Sequence, residues 1–209
     1  KNINTSGLRK KQKKLLNAEE ILRQGIGQLG LNDSNNIISK LLIYKDILLK
    51  WNKAFNLTAL RDEKTVVINH LLDSLSVAHL IQENEILDVG SGAGLPGIVL
   101  ALYDPKKQIT LVDKVGKKAA FMRQVCIELD IKNVDVIHCR VEDMDHNKKF
   151  DAIVARAFSE MDLLINLTKN IIKKNGYWYG MKSKKLMDEI IVKRKEFLEI
   201  HQIKVPFLE

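Results

Sequence analysis

One stretch constrains the fold of this chain more than any other: Ile86-Leu87-Asp88-Val89 runs directly into Gly90-Ser91-Gly92-Ala93-Gly94 and on to Leu95-Pro96-Gly97. An apolar strand that empties into a glycine turn and then a helix is a place for a ligand. Glycine lets the backbone bend sharply and approach another molecule without a Cβ in the way, and the helix beyond adds oriented N–H groups and a positive dipole end. The downstream pattern agrees. Strand-like runs at 85–89, 108–113, 134–138, 151–155 and 176–181 alternate with helical runs at about 94–103, 116–130, 160–173 and 183–197. Such alternation predicts parallel strands joined by crossover helices. A last extended piece at 199–205 precedes Pro206.

Residues 1–82 read differently, as helix after helix. Thr5 or Ser6 is a candidate cap for a first helix carrying Leu8, Leu15, Leu16, Ile21 and Leu22 and ending near Gly30. A second begins around Ser34 and repeats apolar residues at helical spacing through Phe55, with Lys45 as the polar exception. A third spans about 62–81, and a short connector, Asn56-Leu57-Thr58-Ala59-Leu60-Arg61, separates the two. The expected organisation is a helical region over 1–82, packed on a Rossmann-like α/β domain over 83–209.

Two ligand readings compete for the glycine loop. Gly92-Ala93-Gly94-Leu95-Pro96-Gly97 fits GxGxxG, the dinucleotide fingerprint. Asp88 followed by Gly90, Gly92 and Gly94 fits the loop of S-adenosylmethionine enzymes. A carboxylate at the strand tip repels pyrophosphate but favours a ligand bearing an ammonium and a sulfonium, so Asp88 tilts the choice towards the methyl donor. Asp113 ends the next strand, where an acid can accept both ribose hydroxyls of an adenosine, whichever cofactor it belongs to. Its plainer reading is a cap for the helix starting near Gly116. In a methyltransferase fold the loop Cys139-Arg140-Val141-Glu142-Asp143 would lie beside the adenine, read by backbone groups of Val141 and Glu142. Arg156 closes the fourth strand, at the edge where open α/β sheets bind ligands.

Other chemistries are disfavoured. Cys126 and Cys139 have no metal-ligand or disulfide spacing, so neither a zinc site nor a disulfide framework is expected. No apolar run is long enough for a membrane span, and the basic N-terminus lacks a signal-peptide core; a cytoplasmic protein is expected. Exocyclic-amine methylation commonly uses an Asn-Pro-Pro-aromatic tetrapeptide, which Pro96, Pro105 and Pro206 cannot supply. Methylation at carbon-5 of pyrimidines needs a cysteine nucleophile, often after proline, and neither cysteine follows one. A ring nitrogen with a free lone pair needs only alignment. A ribose oxygen stays open as a target, with Lys182 as a candidate base.

The segments Asn56-Leu57-Thr58-Ala59, His70-Leu71-Leu72-Asp73-Ser74, Asp88 through Gly97, and Asp113-Lys114-Val115-Gly116-Lys117-Lys118 together resemble the glucose-inhibited division protein B family, bacterial 16S rRNA guanine-N(7) methyltransferases. The likeness covers roughly residues 34–185. It implies a class I methyltransferase fold, S-adenosylmethionine as donor, and a guanine of small-subunit rRNA as acceptor. Gly90, Leu95, Val141, Glu142 and Arg156 match the family's cofactor positions. Asn56, Thr58, His70, Asp73 and Lys182 match positions on the substrate side, with Arg156, Asn56 and Lys182 the candidate catalytic residues. The plain reading of His70 is a half-buried structural histidine. The family's fold usually ends in an antiparallel hairpin whose last strand inserts into the sheet; here the chain is expected to stop before such a strand, leaving an open edge.

Charge fits a polyanionic partner. Lys+Arg number 34 against 26 Asp+Glu, a net charge of +8. Lys10, Lys11, Lys13 and Lys14 form one cluster; Lys182, Lys184, Lys185, Lys193, Arg194 and Lys195 form another, expected to contact phosphates around the pocket. The expected partner is 16S rRNA or the small ribosomal subunit, met by a monomer without metal or membrane. An NAD(P)-dependent oxidoreductase and a non-catalytic RNA-binding protein are the alternatives.

Overall fold

The computed structural model describes residues 16–33, 36–156, 160–183, 188–194 and 197–208. The described residues begin with α1 (Ala18–Gln28), capped by Asn17; Thr5 and Ser6, the expected caps, lie outside them. Asn17 Oδ1 accepts from the Glu20 N–H at 2.8 Å while the Glu20 carboxylate accepts from the Asn17 N–H at 2.9 Å, a reciprocal box that starts the helix there. Leu8, Leu15 and the Lys10–Lys14 cluster fall outside the described residues. Helix α2 (Ile37–Phe55) follows an Asn36 in the left-handed region; Ser34, its expected start, is also outside them. Lys45, the polar exception on its apolar face, is only 5% exposed, and its Nζ reaches Glu63 Oε2 at 2.8 Å and Asp46 Oδ1 at 3.0 Å. Its stem fills the core while its charge is matched at the rim.

The helix expected over 62–81 is three segments run end to end: α3 (Glu63–Val66), a π-helical turn (Val67–Leu72) and α4 (Asp73–Ser76). Asp62 caps it, accepting from the N–H groups of Lys64 and Thr65. Widened π turns recur at functional sites, and this one carries Asn69 and His70.

Strands β1 (Glu85–Val89), β2 (Gln108–Asp113) and β3 (Val134–His138) form as expected; β4 (Phe150–Arg156) and β5 (Ile172–Ser183) are longer than expected. Between them lie α5 (Gly97–Tyr103), α6 (Gly116–Glu128), a 3-10 turn (Val141–Asp143) and α7 (Met161–Thr168). The sheet order is β3-β2-β1-β4-β5-β6-β7, parallel through β5.

The C-terminal part corrects two expectations. Asp188–Arg194 is strand β6, not part of a helix over 183–197, and Phe197–Ile203 is strand β7. Both pair antiparallel, β6 on β5 and β7 on β6. The reason is visible in burial: Ile190 and Val192 are 0% and 6% exposed, whereas Ile191 and Lys193 are partly exposed, a period of two. An antiparallel pair therefore does end the sheet, but β7 lies at the edge instead of slotting between β5 and β6.

Alternation along the strands feeds two cores. Ile86, Ala152 and Val154 face a large cluster shared with Leu22, Leu41, Leu48 and Leu71 of the helical region. Leu87, Val89, Ile153 and Ala155 face a smaller one closed by Leu164 of α7 and by Trp178. The N-terminal helices thus share their core with the sheet. Among the described residues no helix is long and apolar enough to cross a membrane.

Candidate functional site

Strand order reverses between β1 and β4, and open α/β sheets take ligands at the carboxyl ends flanking such a point. Two clefts lie there. The first, about 310 Å³, is lined by Val89, Gly90, Asp113, Lys118, Val141 and Glu142 among others. The second, about 370 Å³, is lined by Thr58, His70, Asp73, Arg156, Lys182 and Glu189 with apolar neighbours.

The glycine loop shapes the first. Gly90, Gly92 and Gly94 take φ of +67°, +61° and +83°, the region that favours glycine. A Cβ on Gly90 would meet no protein atom within 4 Å, so the cleft opens directly over backbone. Hydrogen bonds tie the loop to its neighbours. The N–H groups of Gly90 and Ser91 donate to Val112 O at 2.8 and 3.2 Å, and that of Gly92 donates to Asp113 Oδ2 at 2.9 Å. Asp113 Oδ1 accepts from Val115 N–H at 2.8 Å, and the Lys118 ammonium stands 3.9 Å from Oδ2. The cap position of α6 is Val115, so Asp113 meets the start of that helix through the Val115 N–H and not as its cap residue.

Asp88 lies under the loop rather than in the cleft. It is 0% exposed; Oδ2 accepts from Gly97 N–H at 2.9 Å, and Oδ1 has no hydrogen-bond partner among the described residues. Burial, partly offset by the Gly97 bond, raises its pKa to about 7. Gly97 is required by this packing, because a Cβ there would sit 2.3 Å from Leu111 Cδ2 and 2.7 Å from Asp88 Oδ2. The Leu95 side chain is 2% exposed in the core, so it offers a ligand only backbone.

A residue not singled out in the sequence holds the loop from the far side. The Tyr44 hydroxyl, on α2 and 0% exposed, donates to Ala93 O at 2.5 Å. In sequence Tyr44 is one more apolar position of a helix; nothing local marks it. Tyr44→Phe is expected to destabilise the unliganded protein by about 1 kcal/mol, the worth of one hydrogen bond, and to raise the Kd for the cofactor up to about fivefold as the loop loosens. Calorimetric titration checks this, and an unaltered Kd would show that the loop does not need the bond.

Arg156 organises the second cleft. Its Nη1 donates to Asp73 Oδ2 at 3.1 Å and to Asn69 O at 3.2 Å, and lies 3.3 Å from His70 Nδ1. His70 Nδ1 also lies 3.0 Å from Asn69 O, between that acceptor and the Arg156 donor, and Nε2 is 2.8 Å from Thr58 Oγ1. Thr58 Oγ1 also accepts from Leu60 N–H at 3.2 Å, and Thr58 lines the cleft. Buried Asn52 supports this connector, its Oδ1 accepting from Thr58 N–H at 2.9 Å and its Nδ2 donating to Leu60 O at 2.9 Å. Sequence spacing suggests that His70 and Asp73 share a helix face; it does not show that Arg156, 83 residues beyond Asp73, meets them.

Burial first, and then the field of Arg156, lowers the His70 pKa from 6.5 to about 4. A histidine kept neutral in the folded state but protonated in the unfolded one costs stability in acid. Stability contributed by neutral His70 is intact above pH 6.5 and falls away towards pH 4, by about 3 kcal/mol in all. Urea unfolding at stepped pH should show this loss, and His70→Gln should flatten it; an equal slope in the variant would exclude His70 as the cause.

The remaining candidates are placed less as expected. Asn56 is exposed, in the left-handed region at the end of α2, and is in neither cleft; its Oδ1 accepts from Arg61 Nη2 at 2.9 Å. The basic cluster expected around the pocket is split. Lys182 lines the second cleft, but Lys193 pairs with Trp178 and Arg194 lies over Tyr177 at 5.2 Å, towards the other end of the strands. From Glu189, opposite Lys182, to Lys193 is roughly 13 Å along β6. Lys184, Lys185 and Lys195 are outside the described residues. No group of three or more His, Cys, Asp or Glu suited to a metal occurs among the described residues.

Comparison with known proteins gives consistent results. A family profile described as GidB, rRNA small subunit methyltransferase G, matches residues 37–209. A protein of Methylobacillus flagellatus named ribosomal RNA small subunit methyltransferase G is 44% identical over 191 residues, covering 91% of this chain and 93% of that one. Its namesake in Pseudomonas putida is 45% identical, covering 86% and 84%. In structure, a Plasmodium falciparum protein described as a putative protein-L-isoaspartate O-methyltransferase in complex with S-adenosyl-L-homocysteine superposes with a TM-score of 0.52 at 14% identity, covering 93% of this chain and 99% of that one. Coclaurine N-methyltransferase, solved with N-methylheliamine and SAH, gives 0.50 at 17%, covering 79% and 60%. At those identities the structures speak for the class I methyltransferase fold alone; the nicotinamide reading gains no support from any of them.

Proposed function

We propose, from the premise that this chain belongs to the rRNA small subunit methyltransferase G family, that it methylates N7 of a guanine in small-subunit (16S) rRNA with S-adenosylmethionine as donor. The observation that carries the reading is the pair of clefts side by side at the carboxyl edge, with Arg156 in the second and close enough to influence buried Asp88.

The first cleft fits the donor by its own chemistry. Open backbone at Gly90, the carboxylate of Asp113 within the lining and, beneath, an Asp88 Oδ1 without a hydrogen-bond partner among the described residues suit a ligand with an adenosine at one end and an ammonium at the other. Gly90, Gly92 and Gly94, with the backbone of Leu95, would cradle the methionine end. Asp113 would take the ribose hydroxyls, and Val141 and Glu142 would flank the adenine. When bound, S-adenosylmethionine supplies an electrophilic methyl group on a sulfonium.

The residues of the second cleft need only hold the acceptor in line. Guanine N7 carries a free lone pair, so no base has to remove a proton. Arg156 is engaged by Asp73 and His70 is a weak base held neutral, so neither is cast as a base. A covalent cysteine route is disfavoured, because burial pushes Cys126 up to about 11 and raises Cys139 as well. Arg156 and Lys182 would orient the base, with Thr58 beside it in the lining. Asn56, outside the cleft, would act on the RNA through the connector it shares with Arg61. The helical region 1–82 contributes Thr58, His70 and Asp73, so it forms much of the substrate face. The same reading has the protein acting as a monomer in the cytoplasm, where ribosomal RNA is.

The test is tritiated methyl transfer to 16S rRNA and to small subunits from cells lacking the protein, followed by nucleoside analysis. Labelled 7-methylguanosine at one position is expected. Another methylated nucleoside would overturn the guanine N7 assignment, and no incorporation would overturn the enzyme reading.

A further inference from the structure

We propose that the exposed ring of Phe55, at the end of α2, is a platform on which an unpaired nucleotide of the 16S rRNA stacks, close to the one entering the second cleft. Arg61, Lys53 and Lys50 take the phosphates beside it. The proposal rests on the reading of rRNA as substrate. One exposed apolar side chain is ordinary; Phe55 is set apart by its kind and its support. It is 39% exposed, and of the large apolar side chains exposed among the described residues it alone is aromatic. Its ring centre lies 5.1 Å from that of Trp51, one turn back, and Trp51 stands edge-on to buried Phe121 of α6 at 5.7 Å. The ring is therefore backed by packed aromatics, and little ordering is left to be done when a base lands on it.

The charge around the ring suits a strand of phosphates. Asn56 follows directly, and its Oδ1 accepts from Arg61 Nη2 at 2.9 Å, which holds the guanidinium at the helix end. Arg61, Lys50 and Lys53 line one surface cleft with Asp46, Asp62 and Glu63. Those acids are engaged: Asp46 and Glu63 by the Lys45 ammonium at 3.0 and 2.8 Å, Asp62 by the Lys64 and Thr65 N–H groups. Arg61 bonds a neutral amide, and Lys50 and Lys53 have no ion pair among the described residues, so all three exposed cations are available. The patch is also continuous with the second cleft. Thr58, Ala59 and Leu60 line that cleft, and Phe55 to Thr58 is about 11 Å even at full extension. A nucleotide on Phe55 is thus a near neighbour of the target. An aromatic beside cations favours nucleic acid over an apolar protein segment, because the ring takes the base while the cations take the backbone. In sequence Phe55 reads as the last apolar position of α2, and only the fold shows it left uncovered.

The test is the Kd of the full chain, with S-adenosyl-L-homocysteine bound, for small subunits and for naked 16S rRNA. Phe55→Leu keeps an apolar side chain over Trp51 but offers no ring, and should raise both values about tenfold, the worth of one stacked base. Phe55→Tyr should stay within about twofold of the unaltered protein. Arg61→Met should lower the slope of log Kd against log salt by about one. Donor affinity should stay the same in all three variants. Both RNA values within about twofold in Phe55→Leu would overturn the proposal, as would a loss that Phe55→Tyr shares. A parallel fall in donor affinity would mark Phe55 as structural, and a loss with small subunits alone would assign the ring to a ribosomal protein; either overturns it. An unchanged slope in Arg61→Met would overturn the phosphate contacts. Binding is read without transfer, so failure to form 7-methylguanosine would count against the function proposed above and not against this surface.

Discussion

Arg156→Ala is expected to lower the single-turnover rate of methyl transfer at saturating donor by about a hundredfold, the cost of loosening a positioned reactant. The guanidinium is the one group in the described structure that joins β4 to the helical region at three points: Asp73 Oδ2, Asn69 O and His70 Nδ1. Its removal leaves Asp73, whose side chain is 13% exposed, without that cation. A loss of stability on the order of 3 kcal/mol should accompany the loss of rate. Arg156→Lys restores the charge but not the planar fork, so it should recover stability more than rate. His70 gives an independent reading: with one of the two influences that lower its pKa removed, its titration should move up from about 4. Rates within a fewfold of the unaltered enzyme, at saturating donor and RNA, would mean that the acceptor is aligned without Arg156.

Asp113→Ala should act at the other step. Both carboxylate oxygens hold backbone N–H groups, Gly92 of the glycine loop and Val115 at the start of α6. Truncation leaves two donors short of partners, at about 1–3 kcal/mol each, and removes the acceptor proposed for the ribose. Donor affinity should fall by at least about a hundredfold. Because Asp113 lines the first cleft and not the second, raising the donor concentration should recover most of the rate, a KM effect where Arg156→Ala gives a kcat effect. Asp113→Asn keeps one oxygen and should fall between. Calorimetric titration with S-adenosylmethionine decides the matter, and unchanged affinity would remove Asp113 from the donor site.

Asp113 and Arg156 differ in how far the sequence reveals their surroundings. Asp113 was legible as a strand-end acid because that signal is local: a buried apolar strand, an acid at its end, a helix beyond. The same holds for the glycine loop, for β1 to β3, whose limits came out as expected, and for the α/β class. Charge and the absence of metal-ligand or cysteine-nucleophile spacing bounded the chemistry, and the resemblance supplied the family.

Sequence by itself thus determined the parallel sheet and the glycine turn at the end of β1, because backbone periodicity and turn chemistry are set by neighbours within a few residues. Only the tertiary structure decided the rest. It made 188–194 a strand, since Ile190, Ile191 and Val192 suit either element until pairing with β5 selects one. It sank Asp88 beneath the loop, brought Tyr44 against Ala93, left Asn56 outside and set Glu189 beside Lys182. It also gathered Thr58, His70, Asp73 and Arg156 around one cleft. Those contacts join residues far apart in the chain, and their free energy comes from burial and desolvation that exist only once the helices have packed on the sheet.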